Sequence, residues 1–275
     1  MTVGDVLRRA TEYLAGKGVD SPRLDSEHLL GKALGLSRVQ LYMEHDRPLN
    51  EAERDAFREL VRRRGEREPL AYVLGEWGFR RLTLKTDVRA LVPRPETEVL
   101  VERCLALLDG ADAPSVLDVG TGSGAIALAI ADEHPGARVR ALDVSTDALS
   151  LARENAESTG LQVELVEGDL AGGLGNAEYD LVVANPPYVT EPEWNSLQPE
   201  IRDWEPRLAT VAEDHTEEIA AQALDALRPG GWLVLEVADV RAGEVAELLE
   251  RGGYDDVRVT EDLTGRDRIV EGRRP

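Results

Sequence analysis

The sequence predicts an α/β fold: a doubly wound, mostly parallel sheet with helices on both faces, preceded by a small helical domain. Three observations lead to this prediction. From residue 96 onward, short apolar runs of strand length alternate with segments whose apolar residues recur at helical spacing. Before residue 76 the spacing is helical. Finally, glycines or polar residues stand where four of the predicted strands end, which is where such sheets bind ligands.

The composition is that of a globular protein. The 275 residues, 42% of them hydrophobic, are enough to bury the cores of two domains. We expect a cytoplasmic protein that contacts no membrane, because no apolar run reaches ~18 residues and the N-terminus lacks the apolar segment of a signal peptide. Cys104, the single cysteine, lies in a helical pattern and is expected to be a buried thiol. The four histidines have no ligand spacing, so no metal site is predicted.

The net charge of −21 is unevenly distributed. Residues 1–75 hold 13 basic and 13 acidic residues, so the whole excess of negative charge falls in residues 76–275. An acidic second part argues against a protein that binds nucleic acid phosphates directly. The two parts therefore have different electrostatic characters, which suggests different roles.

Residues 1–75 are predicted to form the helical domain. Three stretches carry apolar residues at helical spacing: VGDVLRRATEYLAGKG, SPRLDSEHLLGKALG and NEAERDAFRELVRRRGERE. Ser21 is predicted as the N-cap of the second helix, with Pro22 at its first position, and Asn50 as the N-cap of the third.

Arginines cluster towards the end of the third helical stretch: Arg58, Arg62, Arg63, Arg64 and Arg67. Cations at a helix C-terminus complement the helix dipole. The same cluster is also typical of a surface that binds a partner, and the sequence leaves both interpretations open.

Residues 76–92 alternate apolar and polar side chains and are predicted to be an extended, hairpin-like linker. Residues 93–275 are then predicted to form the α/β domain. Its expected strands are SVLDVG, RVRALDV, VELVEGD, YDLVVANPP, WLVLEV, DDVRVTED and DRIVEG, and the helical segments ETEVLVERCLALLDG, GAIALAIADEHP, TDALSLARENAESTG, EEIAAQALDALRPGG and AGEVAELLERGG lie between them. The last two strands are expected to form an antiparallel pair at one side of the sheet.

Four strand ends carry candidate ligand-binding residues. The first strand is followed by Gly120, Gly122 and Gly124, which allow a tight turn and close approach of a ligand to the backbone. Their GxGxG spacing lacks the third glycine of the dinucleotide fingerprint. Asp143 ends the second strand, where an acid can accept two hydrogen bonds from a ribose diol, and Asp169 ends the third, where it can accept one from an adenine amino group.

The fourth strand ends in Asn185-Pro186-Pro187-Tyr188. Two successive prolines cannot continue a central strand, because each lacks a backbone N–H and fixes its own φ. The strand therefore stops abruptly and presents an amide, two rigid rings and a phenol.

In this order the motifs resemble those of the class I S-adenosylmethionine-dependent methyltransferases, whose Rossmann-like sheet has seven strands. More closely, the chain is similar to the release factor glutamine methyltransferases, the HemK/PrmC family, through nearly its whole length. The segments that carry this resemblance are RGEREPLAYVLG (64–75), LVPRPETE (91–98), DVGTGSGA (118–125), NPPY (185–188), WEPRLA (204–209) and GRDR (265–268).

The resemblance implies a cofactor, a substrate and a set of site residues. The cofactor is S-adenosyl-L-methionine, converted to S-adenosyl-L-homocysteine, with no metal. The substrate is the glutamine of the Gly-Gly-Gln motif in peptide chain release factors, and residues 1–75 are expected to bind that partner. The protein is expected to be a monomer without direct nucleic acid binding. The implied cofactor-binding residues are Gly120, Thr121, Gly122, Ser123, Gly124, Asp143, Asp169, Leu170 and Asn185, and the catalytic residues are Asn185, Pro186, Pro187 and Tyr188.

The sequence departs from the family pattern in two places. Leu170 stands where an aromatic side chain often packs on the cofactor. The stretch ATVAEDHTEE after Leu208 stands where a glycine-containing loop is expected. Both departures concern cofactor affinity and loop shape and leave the NPPY chemistry intact.

The NPPY residues suit methylation of an amide. An amide nitrogen is a weak nucleophile, because its lone pair is delocalised into the carbonyl. The Asn185 side-chain oxygen and the Pro186 carbonyl can accept both N–H protons, which orients the nitrogen and stabilises the positive charge that develops on it. Pro186 and Pro187 hold that carbonyl in place, and Tyr188 offers a flat face to the planar amide.

Three alternatives stay open from the sequence. An adenine-N6 methyltransferase also needs NPPY, but the acidic second part and the absence of a basic, aromatic-rich recognition segment disfavour it. A binding module without catalysis is disfavoured by the intact glycines, Asp143 and NPPY. Methylation of a ribosomal-protein glutamine is separated from the release factor only by the resemblance.

Overall fold

The computed structural model describes residues 1–174, 179–211 and 215–275. They divide into two compact units. The helical unit consists of Met1–Glu76 together with Leu197–Trp204, and the α/β unit consists of Trp77–Ser196 and Glu205–Pro275.

The described residues form twelve α-helices and nine strands. The helices are α1 (Val3–Gly16), α2 (Pro22–Leu34), α3 (Arg38–Met43), α4 (Glu51–Gly65), α5 (Leu70–Leu74), α6 (Pro95–Leu107), α7 (Ala125–Glu133), α8 (Thr146–Thr159), α9 (Glu191–Trp194), α10 (Pro199–Arg202), α11 (His215–Ala226) and α12 (Ala242–Arg251). The strands are β1 (Glu76–Phe79), β2 (Leu82–Lys85), β3 (Ser115–Val119), β4 (Arg138–Asp143), β5 (Glu164–Glu167), β6 (Tyr179–Ala184), β7 (Leu227–Glu236), β8 (Asp255–Glu261) and β9 (Asp267–Arg273). Short 3₁₀ turns cover Leu170–Gly172, Arg207–Ala209 and Asp239–Arg241.

The helical unit contains the three predicted helices, α1, α2 and α4. Asn50 caps α4 as predicted: its side chain accepts from the Glu53 N–H at 2.9 Å and the Glu53 carboxylate accepts from the Asn50 N–H at 2.9 Å. Ser21 occupies the N-cap position of α2 and Pro22 its first turn, as predicted, but the Ser21 side chain makes no cap hydrogen bond.

The segment Leu197–Trp204 lies in the range that the sequence assigns to the α/β domain, yet it groups with the helical unit. Within that unit Glu200 of α10 accepts from Arg64 at 2.8 Å and from Arg67 at 2.7 and 2.6 Å. Gln198 donates to Asp20 at 2.7 Å. Charge-assisted hydrogen bonds of this kind are about twice as strong as neutral ones, so they hold the segment in place.

The arginine cluster of α4 is neutralised inside the helical unit. Arg58 pairs with Asp55, Arg62 with Glu59 and Glu66, Arg63 with Glu68, Arg64 with Asp25 and Glu200, and Arg67 with Glu200. The ion pairs therefore stabilise the fold of this unit, and the interpretation of the cluster as a surface that binds a partner stays a prediction.

The α/β unit is built on a seven-stranded sheet of order β5-β4-β3-β6-β7-β9-β8. The neighbours from β5 to β7 run parallel, whereas β9 is antiparallel to both β7 and β8. The predicted doubly wound sheet and its antiparallel pair are confirmed. One boundary differs: α11 ends at Ala226 and β7 begins at Leu227, so residues 227–231, which the sequence predicts as part of the helical segment, lie within this long strand.

Helices cover both faces of the sheet. Alternate residues of β6 point to opposite faces: Leu181 and Val183 belong to the core beneath α6 and α7, and Val182 and Ala184 to the core beneath α11 and α12. Cys104 is fully buried in the first of these cores, as predicted. Parallel strands share one edge for their carboxyl ends, so the residues that follow β3, β4, β5 and β6 lie at the same edge.

The predicted linker forms a two-stranded sheet of β1 and β2. Asn155 of α8 ties it to the loop that follows β3, since its side chain accepts from the Lys85 N–H at 2.7 Å and donates to the Ser123 carbonyl at 2.9 Å. In the described part of the chain, no helix has both the length and the apolar composition required to cross a membrane.

Candidate active site

A cavity of about 470 Å³ opens at the carboxyl ends of β3, β4 and β6. This volume lies in the usual range for small-molecule sites. Most of the predicted site residues line it: Gly120, Thr121, Gly122, Ser123, Asp143, Asp169, Leu170, Asn185, Pro186 and Pro187. Gly124 and Tyr188 are not among the lining residues.

The glycine turn after β3 forms one wall of the cavity. Gly120, Gly122 and Gly124 all have positive φ, at 75°, 56° and 82°, a region that favours glycine. A Cβ at Gly120 would meet open space, whereas one at Gly124 would lie 3.2 Å from Ala152 and Leu128. Gly120 and Gly122 therefore leave room for a ligand, while Gly124 serves the close packing at the start of α7.

Asp143 links the glycine turn to the end of β4. Its carboxylate accepts from the Gly122 N–H at 2.8 Å and from the Ser145 N–H at 2.9 Å. Burial raises the pKa of Asp143, and these backbone donors act against the rise. Each carboxylate oxygen has a second lone pair, so the group can hold the turn and still accept from two hydroxyls of a ligand in the cavity.

Asp118 of β3 lies just before the glycine turn. It is not among the residues that line the cavity, and the sequence predicted no role for it. It is completely buried and accepts a hydrogen bond of 2.6 Å from the Thr121 hydroxyl. Its second oxygen, Oδ1, has no hydrogen-bond partner within the described ranges. Burial raises the pKa of Asp118 to about 7.

Asp169 and Leu170 follow β5 at another side of the cavity. The Asp169 carboxylate is exposed and accepts from the Gly172 N–H at 2.9 Å, which closes a 3₁₀ turn. The Leu170 side chain packs against the core beneath α11 and α12, and its carbonyl accepts from Gln222 at 2.8 Å. The leucine thus supplies an apolar wall where the family pattern often has an aromatic ring.

Asn185 stands directly after β6, half-buried, and its Nδ2 donates to the Thr97 hydroxyl at 3.3 Å. Pro186 is buried and Pro187 half-buried beside it. Tyr188 is also half-buried, and burial raises the pKa of its phenol, so it stays protonated.

In the stretch ATVAEDHTEE, residues 212–214 lie outside the described residues.

A third wall of the cavity comes from residues 89–94 and from Pro206, Leu208 and Ala209. Arg94 and Glu205 join these two segments, since one guanidinium nitrogen lies 2.7 and 2.6 Å from the two carboxylate oxygens. Hydrophobic periodicity does not reveal either segment as part of a site. The only signal in the sequence is the pair of motifs PRPETE and EPRLA, which carry these residues. Across the described ranges, no group of three or more His, Cys, Asp or Glu residues is arranged to hold a metal ion.

Comparison with known proteins agrees with this fold. Residues 96–199 match the family model described as the methyltransferase small domain. The 16S rRNA N2 G1207 methyltransferase of T. thermophilus superposes with a TM-score of 0.55, 19% identity and coverage of 73% of this chain and 50% of that one. A methyltransferase from Pyrococcus furiosus superposes with a TM-score of 0.51 and 21% identity, and the match covers 70% of this chain and 88% of that one. The sheet order and the glycine-lined cavity at its carboxyl edge define a class I methyltransferase.

Residues 5–75 match the family model described as the PrmC N-terminal domain. The chain is 44% identical to the release factor glutamine methyltransferase of Chlorobaculum tepidum, over 97% of this chain and 95% of that protein. It is also 44% identical to the enzyme of the same name from Geobacter sulfurreducens, over 99% of this chain and 96% of that protein. The chain belongs to the release factor glutamine methyltransferase family.

Proposed function

We propose that this protein transfers a methyl group from S-adenosylmethionine to the side-chain amide nitrogen of the glutamine in the Gly-Gly-Gln motif of peptide chain release factors. The observation that carries the proposal is the position of Asn185 and Pro186, which line the same cavity as the glycine turn and Asp143. An amide-binding group thus lies beside a nucleoside-type pocket. The relatives' names support glutamine in a release factor as the substrate.

The residues of the cavity fit S-adenosylmethionine. Asp143 accepts from the ribose hydroxyls, Asp169 from the adenine amino group, and Leu170 packs on the apolar base. The turn at Gly120 and Gly122 leaves its backbone open to the ligand, because a Cβ there would meet open space or Ala90 only at 3.9 Å. When bound, S-adenosylmethionine supplies an electrophilic methyl group on a sulfonium, and S-adenosylhomocysteine remains after transfer.

Asn185 and Pro186 hold the substrate amide. The Asn185 side-chain oxygen and the Pro186 backbone carbonyl accept its two N–H groups, so that positive charge developing on nitrogen meets fixed acceptors. The two prolines keep the carbonyl still, which avoids reorganisation during the reaction. The amide nitrogen of the substrate is itself the nucleophile, so no enzyme nucleophile is required. As its bond to the methyl carbon forms, the bond between that carbon and sulfur breaks, and one N–H proton leaves to water.

The helical unit gives the proposal a second component. A loop glutamine entering a pocket offers little contact area, and a separate binding unit raises the effective concentration of that loop. We assign binding of the release factor, outside its Gly-Gly-Gln loop, to residues 1–75, of which residues 5–75 match the PrmC N-terminal domain. The protein would act as a monomer in the cytoplasm, where translation takes place, without contacting membrane or binding nucleic acid.

The test is methylation of a purified release factor with isotope-labelled S-adenosylmethionine, followed by mass spectrometry of its peptides. The expected result is one added methyl on the glutamine of the Gly-Gly-Gln motif. A release factor with that glutamine changed to alanine is the matched control. Label on a ribosomal-protein glutamine or on adenine, with the release factor unmodified, would contradict the proposal.

A further inference from the structure

Three polar side chains form a line from the cavity wall into the interior of the α/β unit. Asn185 lines the cavity, and its Nδ2 lies 3.3 Å from the Thr97 hydroxyl. That hydroxyl lies 2.7 Å from the Glu236 carboxylate. Thr97 is 5% exposed and Glu236 only 1%. Burial of a carboxyl costs desolvation free energy, and a titratable group buried beside a cavity is therefore a candidate for a functional role.

The strand register explains why these residues meet. Ala184 of β6 is paired with Leu235 of β7, so Asn185 and Glu236 are the next residues of two neighbouring parallel strands. Side chains alternate between faces. Asn185 and Glu236 stand two positions after Val183 and Val234, so they lie on the same face as these valines, which is the face covered by α6. Thr97 lies in the first turn of α6 and reaches both.

The hydrogen-bond directions in this line are determined by chemistry. An ionised carboxylate can only accept, so the single hydroxyl proton of Thr97 is donated to Glu236. The Thr97 oxygen then has only lone pairs left, and its other neighbour must be a donor. Of the two ends of the Asn185 amide, only Nδ2 donates. The carbonyl end, Oδ1, is therefore the end left for a ligand in the cavity.

We propose that Thr97 and Glu236 are positioning residues for methyl transfer, which fix the Asn185 amide with its nitrogen turned inward and its oxygen presented to the substrate glutamine. The proposal rests on the proposed function, because that function makes Asn185 an acceptor. With the opposite orientation, Asn185 would face the substrate N–H groups with its own N–H groups. Neither Thr97 nor Glu236 touches the reacting atoms in this account.

The protonation state of Glu236 controls the arrangement. Burial raises the pKa of Glu236 to about 7; Thr97, Arg268 of β9 and Asn185 act against that rise, and Glu96 of α6 adds to it. Glu236 in turn contributes to the raised pKa of Tyr188. Once protonated, Glu236 can itself donate, and the Thr97 hydroxyl is free to donate to Oδ1 of Asn185. The ionised form is then the competent one, and the transfer rate rises as the pH increases through the titration of Glu236.

Glu236→Gln is the central variant, since it preserves shape and removes the charge. We expect the single-turnover rate at saturating substrate to fall about tenfold at high pH, as for a modest misplacement of a reacting group. KM for the release factor and affinity for S-adenosylhomocysteine should stay near those of the parent protein. The acidic limb of the rate profile, between about pH 5 and pH 9, should disappear.

Glu96→Gln is the matched control, because it removes a neighbouring charge of the same sign outside the line of three. It should lower the pKa of Glu236 and so move the acidic limb to lower pH without abolishing it. A purely structural role of Glu236 predicts no such displacement. Thermal unfolding of each variant shows whether it folds.

Thr97 provides an independent pair of variants. Thr97→Val keeps the shape and removes the hydroxyl, so it should slow transfer by about tenfold as well. Thr97→Ser keeps the hydroxyl and should restore the rate. In an Asn185→Ala background, Glu236→Gln should have no further effect on the rate, because its influence passes through Asn185.

The outcomes separate the two proposals. If the parent protein does not methylate the release factor glutamine, the proposed function fails. If it does, and Glu236→Gln keeps the parent rate and its acidic limb, the positioning role is wrong. A tenfold effect of Glu236→Gln that persists undiminished in the Asn185→Ala background would also overturn it.

Discussion

Arg94 and Glu205, which are 111 residues apart in the chain, form an ion pair in which one guanidinium nitrogen lies within 2.7 Å of both carboxylate oxygens. The two partners differ in environment: the Glu205 side chain is 1% exposed and the Arg94 side chain 32%. The pair joins two segments that form the third wall of the cavity. It is therefore a structural link within the active site as well as a contribution to stability.

Because Glu205 is more deeply buried than Arg94, replacing each residue by alanine should reduce stability by different amounts. Arg94→Ala leaves a buried carboxylate without its partner, which should destabilise the fold by about 3–5 kcal/mol. Glu205→Ala should cost less, because Arg94 can turn towards water. Burial raises the pKa of Glu205 and Arg94 opposes that rise, so the cost of Arg94→Ala should grow with pH as Glu205 ionises.

Urea unfolding at two pH values measures the free energy of unfolding of both variants. Arg202→Ala, in an exposed pair with Asp203, is the matched control, with an expected cost of about 0–1 kcal/mol. Equal and small costs for Arg94→Ala and Glu205→Ala would contradict the prediction.

Asp143 is predicted to bind the ribose of S-adenosylmethionine. Asp143→Ala should weaken binding of S-adenosylhomocysteine by about 1.5–3 kcal/mol, the usual contribution of hydrogen bonds to a charged group. Part of that loss comes from the glycine turn, because Gly122 and Ser145 lose their acceptor. Titration calorimetry measures the affinity, with the exposed Asp147→Ala as control. Affinity unchanged from that of the parent protein would exclude the assignment.

Asn185 is predicted to be an acceptor for the substrate amide. Asn185→Ala should lower the rate of methyl transfer by roughly 10²–10³, as when one preorganised electrostatic contact is removed. Single-turnover kinetics measure the rate, and calorimetry shows how much of the effect reflects cofactor affinity. Asn195→Ala, at an exposed position, is the control. A rate within a few-fold of the parent protein would mean that another group holds the amide.

Asp118 predicts a pH dependence of stability. Its pKa is raised by burial to about 7 in the folded protein, above the ~3.9 of an unfolded chain. A raised pKa means that folding favours the protonated form, so its contribution to stability is complete below about pH 4 and is lost as the pH rises through 7. Asp118→Asn should therefore gain stability relative to the parent protein between pH 5 and pH 8, by on the order of a few kcal/mol.

The Asp118→Asn variant keeps an acceptor for the Thr121 hydroxyl, so this hydrogen bond is preserved. Urea unfolding across the pH range gives the difference in free energy, with the exposed Asp109→Asn as baseline. A difference that does not change with pH would show that Asp118 is not protonated in the folded state.

The sheet, and the edge at which the candidate site residues meet, could be predicted from the sequence, because both depend on local patterns. Period-two and period-3.6 spacing identify the strands and helices, and the residues that end parallel strands must share an edge of the sheet. Gly120, Gly122, Asp143 and Asn185 were found in this way. Helices α3 and α5 were missed, because six and five residues are too few to show a helical period.

Contacts between distant parts of the chain could not be predicted. Glu236 reads in the sequence as an ordinary acid at the end of a buried strand. Only the pairing of β6 with β7 brings it level with Asn185, and only the placement of α6 puts Thr97 between them. Arg94 and Glu205 are likewise joined by folding alone. A single sequence contains no information on such pairs beyond the resemblance of their motifs to a family.

The grouping of Leu197–Trp204 with the helical unit has a consequence for how the protein can be divided and recombined. If the chain is divided at a single point, near residue 76, Glu200 is separated from its partners Arg64 and Arg67. Deletion of the first 75 residues would leave this octapeptide without its counter-ions. A chimera that takes its helical unit from a relative must therefore transplant two pieces of chain together. Among relatives, we expect the two arginines and this distant glutamate to change together.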